Sequence, residues 1–142
     1  MQTETTPTPA LEDALVLRLE LSPPLTLGRL ATGGVRSLMT VVGGNVEGSA
    51  GSGIIAGGRE SWLTRADGVT VVDVIYLLVM LDGAAVRLFG TGYLTEPPEF
   101  AGTRMSMSFE VDESSPRAWL ATHCFLGERA SGTSVLNVAV VR

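Results

Sequence analysis

Few side chains in this sequence can carry chemistry: it holds ten arginines but no lysine, one histidine, His123, and one cysteine, Cys124. Without lysine there is no lysine Schiff base, and no serine stands in a nucleophile elbow. A metal site is not expected either, because His123 and Cys124 are neighbours and adjacent residues on a strand point to opposite faces. The run Gly51-Ser52-Gly53-Ile54-Ile55-Ala56 loosely resembles a dinucleotide fingerprint but lacks the helix that must follow, so no nucleotide cofactor is expected. Three acid–base candidates remain. Glu60 and Asp73 form a carboxylate pair beside Trp62 if their strands pair, and burial would then raise one of the two pKa values; alternatively Glu60 pairs with Arg59, Arg36 or Arg65 at a rim. His123 is either a general acid or base near neutral pH or a hydrogen-bonded structural histidine. Met105 and Met107 alternate with Ser106 and Ser108, a pattern that suits a pocket gripping a flexible apolar ligand as well as ordinary core. Trp62, Tyr76, Phe89 and Trp119 add large rings to the same candidate pocket.

These residues need a scaffold, and turn chemistry supplies its outline. Asp67-Gly68 and Asp82-Gly83 flank the apolar stretch Val69 to Leu81, and Asp-Gly pairs supply the positive φ of hairpin turns, so the middle of the chain is an antiparallel meander. Leu15, Leu17, Leu19 and Leu21 alternate with Val16, Arg18 and Glu20, the period-two signature of a strand with one buried face. Further strands are expected over Val35 to Val42, Ser61 to Arg65, Ala84 to Phe89, Met105 to Val111, Trp119 to Leu126 and Ser134 to Val141. The glycine-rich run Asn45 to Glu60 suits short, bent strands at barrel corners. Leu11 to Ala14 and Pro97 to Gly102 are candidates for a turn of helix. The expectation is an all-β, lipocalin-like single antiparallel β-barrel of about 8 to 10 strands over residues 14–142, behind a disordered N-terminal tail, residues 1–13.

Two-residue turns at both Asp-Gly pairs would set the register. Trp62 would lie opposite Asp73 and Glu60 opposite Ile75 on one face; Tyr76 would lie opposite Phe89 and Leu78 opposite Arg87 on the other. The long strand would then be apolar on both sides. Since a barrel interior covers only one of them, a second layer or subunit is needed, and a homodimer is expected.

Composition bounds the partners. The chain is 45% hydrophobic and 18% charged with a net charge of −5, and no basic run occurs, so nucleic acid is not an expected partner. No stretch reaches the roughly 20 apolar residues of a membrane helix. The N-terminus has neither the basic start nor the apolar core of a secretory signal, and a lone cysteine fits a reducing cytoplasm. The expected partner is a hydrophobic small molecule.

Taken in order, several short motifs resemble those of a bacterial family, domain of unknown function 3237: Ser22-Pro23-Pro24-Leu25-Thr26-Leu27-Gly28, Gly43-Gly44-Asn45-Val46-Glu47-Gly48, Gly57-Gly58-Arg59-Glu60-Ser61-Trp62, and later Trp119-Leu120 and Phe125-Leu126-Gly127. The resemblance implies a lipocalin-like barrel with no assigned reaction. In that family's pattern Asp stands at Glu60, Arg at Ile75 and at Phe89, and Asn-Arg at Ala121-Thr122, which implies a pocket here remodelled for a hydrophobic ligand. In size and apolar character the chain is also similar to stand-alone pericyclases of polyketide pathways of the streptoseomycin and nargenicin type. This likeness implies a cyclase that folds a polyene for [4+2] or [6+4] cycloaddition, a reaction that needs a shaped cavity rather than a nucleophile, metal or cofactor. Trp62, Tyr76, Phe89, Met105, Met107 and Trp119 would shape the cavity, and Glu60, Asp73 or His123 would orient polar groups. A non-catalytic carrier of apolar ligands, or a proton-transfer isomerase or hydrolase using Glu60, Asp73 or His123, are the alternatives.

Overall fold

The computed structural model describes residues 6–142. Among these residues nine strands follow one another: β1 (Leu11–Leu21), β2 (Leu25–Arg29), β3 (Val35–Glu47), β4 (Gly53–Thr64), β5 (Thr70–Met80), β6 (Ala85–Thr95), β7 (Gly102–Glu110), β8 (Phe125–Ala130) and β9 (Val135–Val141), with one 3-10 helix (Ala118–Thr122) between β7 and β8. All pairings are antiparallel, and β1 pairs with both β9 and β3, so eight strands close into a barrel while β2 adds one further strand along the first half of β3. The expected all-β barrel is present. No helix of the described residues is long and apolar enough to cross a membrane.

Both Asp-Gly hairpins depart from the expected register by one residue. The Arg65 amide donates to the Val69 carbonyl and the Gly68 amide to that of Arg65, which makes a three-residue loop with Gly68 in the left-handed region at φ 87°. Met80, Ala84 and Gly83 repeat the arrangement, with Gly83 at φ 85°. In such loops the glycine follows a type I turn as a bulge residue, and a side chain of the turn aspartate caps the following strand: Asp67 Oδ1 accepts from the Val69 amide at 3.1 Å and Asp82 Oδ1 from the Ala84 amide at 3.0 Å. The one-residue slip re-pairs each face. Trp62 lies opposite Val72, Glu60 opposite Val74 and Tyr76 opposite Leu88, whereas Asp73 lies opposite Ser61 and Ile75 opposite Phe89.

Other corrections are local. Trp119–Leu126 is not one strand: Trp119 belongs to the 3-10 helix, and β8 starts at Phe125. Leu11–Ala14 is strand rather than helix, because its backbone pairs with the C-terminal strand from Leu11 to Val141 onward; β1 thus takes in three residues assigned above to the tail. Residues 1–5 of that tail lie outside the described residues. The Pro97–Gly102 region forms a turn, and β2, broken from β1 by Ser22-Pro23-Pro24, was not expected.

The barrel interior is full. Leu17, Tyr76, Leu88, Phe125 and Leu136 are wholly buried, and Met105 and Met107 are buried with them. An eight-stranded barrel is just wide enough for its own side chains to fill. Gly127 makes room for Met107, since a Cβ there would come within 2.3 Å of its sulfur. The methionines are therefore core, and side chains fill the part of the barrel interior where the apolar pocket is expected.

Candidate functional site

The two ends of the barrel differ. At one end the 3-10 helix lies across the opening with Leu120 buried beneath it, and Arg117 ties it down by donating to the Ala50 carbonyl at 3.1 Å and to Asp82 at 2.7 Å. At the other end, where the β4–β5 and β8–β9 turns lie, no such plug exists among the described residues. A hollow of about 290 Å³ opens there, lined by Trp62, Leu94, Thr103, Arg129, Ser131 and Thr133.

Beneath this mouth is a charged pair that hydrophobic patterning alone would not place in a core. Glu60 is wholly buried and Arg129 is 6% exposed. Arg129 Nη1 donates to Glu60 Oε2 and Nη2 to Oε1, both at 2.8 Å. Tyr76 Oη donates to Oε2 at 2.5 Å and Trp62 Nε1 to Oε1 at 3.1 Å. Each carboxylate oxygen thus accepts two hydrogen bonds, the saturation a buried charge requires. The guanidinium also lies 5.9 Å from the centre of the Trp62 ring, on its face.

Strand geometry explains how these groups meet. Ile55 and Glu60 are an odd number of residues apart, yet both face inward, because the pairing skips Ala56 between Ile55–Leu78 and Gly57–Leu77. That bulge re-aims the second half of β4 toward the interior. Arg129 enters from β8, where Phe125, Gly127 and Arg129 alternate inward, and it crosses the barrel to reach Glu60. The electrostatics follow. Burial works to raise the Glu60 pKa, but the hydrogen bonds and charge of Arg129, with the donations from Tyr76 and Trp62, outweigh it and hold the carboxyl below its ordinary value. Burial, reinforced by the adjacent Glu60 charge, pushes the Tyr76 phenol well above its ordinary range. Glu60 is ionised and Tyr76 neutral at physiological pH.

Of the residues the sequence nominates, the structure brings together Glu60, Trp62 and Tyr76 at this mouth, with Met105 and Met107 in the core. The others are elsewhere. Asp73 is exposed on the outer face of β5, where with Phe89, Leu38, Ile75, Arg59 and Arg87 it lines an outer groove of about 760 Å³; the expected Glu60–Asp73 pair does not form, and Arg59, Arg36 and Arg65 are not the partners of Glu60 either. His123 is exposed at the end of the 3-10 helix, its Nδ1 3.0 Å from the Trp119 carbonyl oxygen and from Thr122 Oγ1. Trp119 packs edge-to-face on His123 and at a tilt against Phe125, at the plugged end. Among the described residues no three His, Cys, Asp or Glu side chains come together as a metal site. Arg129 and Thr103 were missed. The alternation Phe125, Gly127, Arg129 carries a signal for Arg129, but it is legible only when the strand begins at Phe125 rather than at Trp119; Thr103 carries none.

The family model described as protein of unknown function (DUF3237) matches residues 9–103. A UPF0311 protein of Clostridium acetobutylicum is 28% identical over 130 residues, covering 81% of this chain and 82% of its own length. Among solved structures, a protein of unknown function from Clostridium acetobutylicum aligns with a TM-score of 0.83 at 25% identity over 95% of this chain and all of its own. A barrel-like protein from Acinetobacter baumannii aligns at 0.80 and 23% identity over 99% of this chain and all of its own. An enzyme from Penicillium herquei aligns at 0.79 and 22% identity over the whole of both chains.

Proposed function

The chain belongs to the DUF3237 family of proteins of unknown function, and from that premise we propose that it is a cofactor-independent enzyme acting on an apolar small molecule at the open mouth of the barrel. The finer reading is a cyclase for a polyene-like intermediate, working in the cytoplasm as a homodimer. One protein of this fold, that of Penicillium herquei, is an enzyme, which supports catalysis on this scaffold.

The observation that carries the proposal is the Arg129 guanidinium, pinned by two hydrogen bonds to Glu60 while it lines the mouth hollow. A guanidinium has five N–H donors, and the carboxylate occupies two of them. The other three have no protein acceptor among the described residues and are the donors that a substrate oxygen in the hollow would meet. Donation to a conjugated carbonyl withdraws electron density from the attached polyene and lowers the barrier to cyclisation, while Trp62 and Leu94 limit its conformations. Glu60 and Tyr76 are positioning residues in this scheme, since they reach the substrate only through Arg129.

The alternative is proton transfer by Glu60, favoured by the short Tyr76–Glu60 hydrogen bond. Its weakness is the depressed Glu60 pKa, which makes the carboxylate a feeble base. Isotope labelling separates the two. Linear polyene ketones incubated with the protein in D2O should lose the polyene absorption and gain no more deuterium than a protein-free control; deuterium in the product carbon skeleton beyond that control would replace cyclisation with proton transfer. Conversion should also fall at least tenfold in Trp62→Ala and in Arg129→Lys, measured as kcat/KM.

A further inference from the structure

Thr103 Oγ1 is the buried side-chain oxygen or nitrogen that lacks a hydrogen-bond partner among the described residues. The residue is 1% exposed, lies directly opposite Arg129 in the β7–β8 pairing, and lines the mouth hollow. Buried hydroxyls are nearly always bonded, so an orphan beside a hollow is completed by a water or by a ligand oxygen that displaces it. The nearby Thr95 hydroxyl directs its one proton to the carbonyls of Phe100 and Gly102 and not to Thr103. What Thr103 can offer is one O–H donor, next to the uncommitted N–H groups of Arg129.

Charge then selects the ligand. The positive charge of Arg129 is matched by Glu60, Tyr76 is neutral, and the Arg65 and Asp67 side chains at the adjacent turn pair with each other. Among the described residues that line the hollow, the one cation, Arg129, is compensated. A carboxylate would have to shed its water there and compete with Glu60 for the guanidinium, whereas a ketone or lactone oxygen loses little on desolvation. We propose that the hollow is a subsite for a neutral carbonyl oxygen, received jointly by the Thr103 hydroxyl and the Arg129 guanidinium, with the apolar body of the ligand against Trp62 and Leu94. This rests on the mouth being the binding site, as in the function proposed above, and it narrows the substrate class to neutral carbonyl compounds rather than acids.

Equilibrium dialysis of the full chain against three probes of similar size tests it: acetylnaphthalene, isopropylnaphthalene and naphthoate. The ketone should bind about fivefold or more tighter than the other two, the affinity that one to two hydrogen bonds confer. Thr103→Val should abolish that advantage while leaving isopropylnaphthalene unchanged, and Thr103→Ser should keep it. Should Thr103→Val fail to fold, the wild-type ranking and the serine variant still decide. Equal binding of ketone and hydrocarbon, a preference for naphthoate, a ketone advantage that survives Thr103→Val, or no saturable binding of the ketone would each overturn the subsite. Ketone preference without turnover leaves the subsite standing and removes the enzyme reading; turnover without ketone preference does the reverse.

Discussion

At the scale of single residues, the question is why an ion pair sits where a barrel of this size has room only for core. Taking two charges out of water costs more than their attraction returns unless every lone pair is used, and here the four hydrogen bonds to Glu60 use them. Removing one partner leaves the other charged, dry and alone. Glu60→Leu should therefore destabilise the fold by about 3–5 kcal/mol in urea unfolding, and adding Arg129→Met should recover most of that loss. Recovery in the double variant would identify the pair as a feature retained for something other than stability; no recovery would make it structural. The pair also leaves a mark in pH dependence. Because the folded-state pKa of Glu60 is depressed, its contribution is present above the ordinary value of 4.5 and is lost as pH falls through the depressed value. The acid limb of stability should be shallower in the double variant than in the wild type, though Asp67, Asp82 and Asp112, also depressed, keep it from vanishing.

At the scale of elements, one glycine in each hairpin decides which face of β5 meets the interior. Gly68 and Gly83 occupy left-handed positions with open space around them, so a substitution there strains only the backbone. Gly68→Ala should cost about 1–2 kcal/mol and leave the barrel intact. Gly92 is a different case: a Cβ there would fall 1.9 Å from the Arg104 carbonyl oxygen, and relief requires β6 and β7 to part. Gly92→Ala should cost several times as much as Gly68→Ala in thermal unfolding. Comparable costs would mean that the β6–β7 pairing yields more easily than its backbone contact implies.

For the whole molecule, closure of the barrel removes sheet edges apart from the short strand β2, yet the outer wall keeps apolar side chains in the open. Leu77 is 46% and Ile54 56% exposed, and the outer groove brings Leu38, Ile75 and Phe89 together beside Arg59, Arg87 and Asp73. A two-fold pairing of this face would cover the apolar residues and set arginines of one copy near the aspartate of the other. Light scattering at micromolar concentration should report about twice the 14.9 kDa chain mass, and Leu77→Lys should return it to the monomer value. A wild-type monomer would leave the outer groove free for another occupant and remove the homodimer.

Local chemistry in the sequence determined the fold: period-two alternation, Asp-Gly turns and the scarcity of helix signals all act over a few residues, and they specify an antiparallel meander long enough to close. It also singled out Glu60, Trp62 and Tyr76. What it did not decide was the face on which each would stand. A turn of two residues and a turn of three share the same Asp-Gly pair, but they differ by one step of register, and in a strand one step exchanges interior for exterior. That step separated Asp73 and Phe89 from the residues they were expected to join. The pairing of Glu60 with Arg129 spans strands β4 and β8, which are not neighbours in the sheet, and it depends on the bulge at Ala56 as well as on barrel closure. Neither spacing nor composition encodes a contact of that kind. Only the closed tertiary structure, which brings opposite walls within reach across a filled interior, placed the guanidinium beneath the mouth and left the Thr103 hydroxyl without a partner.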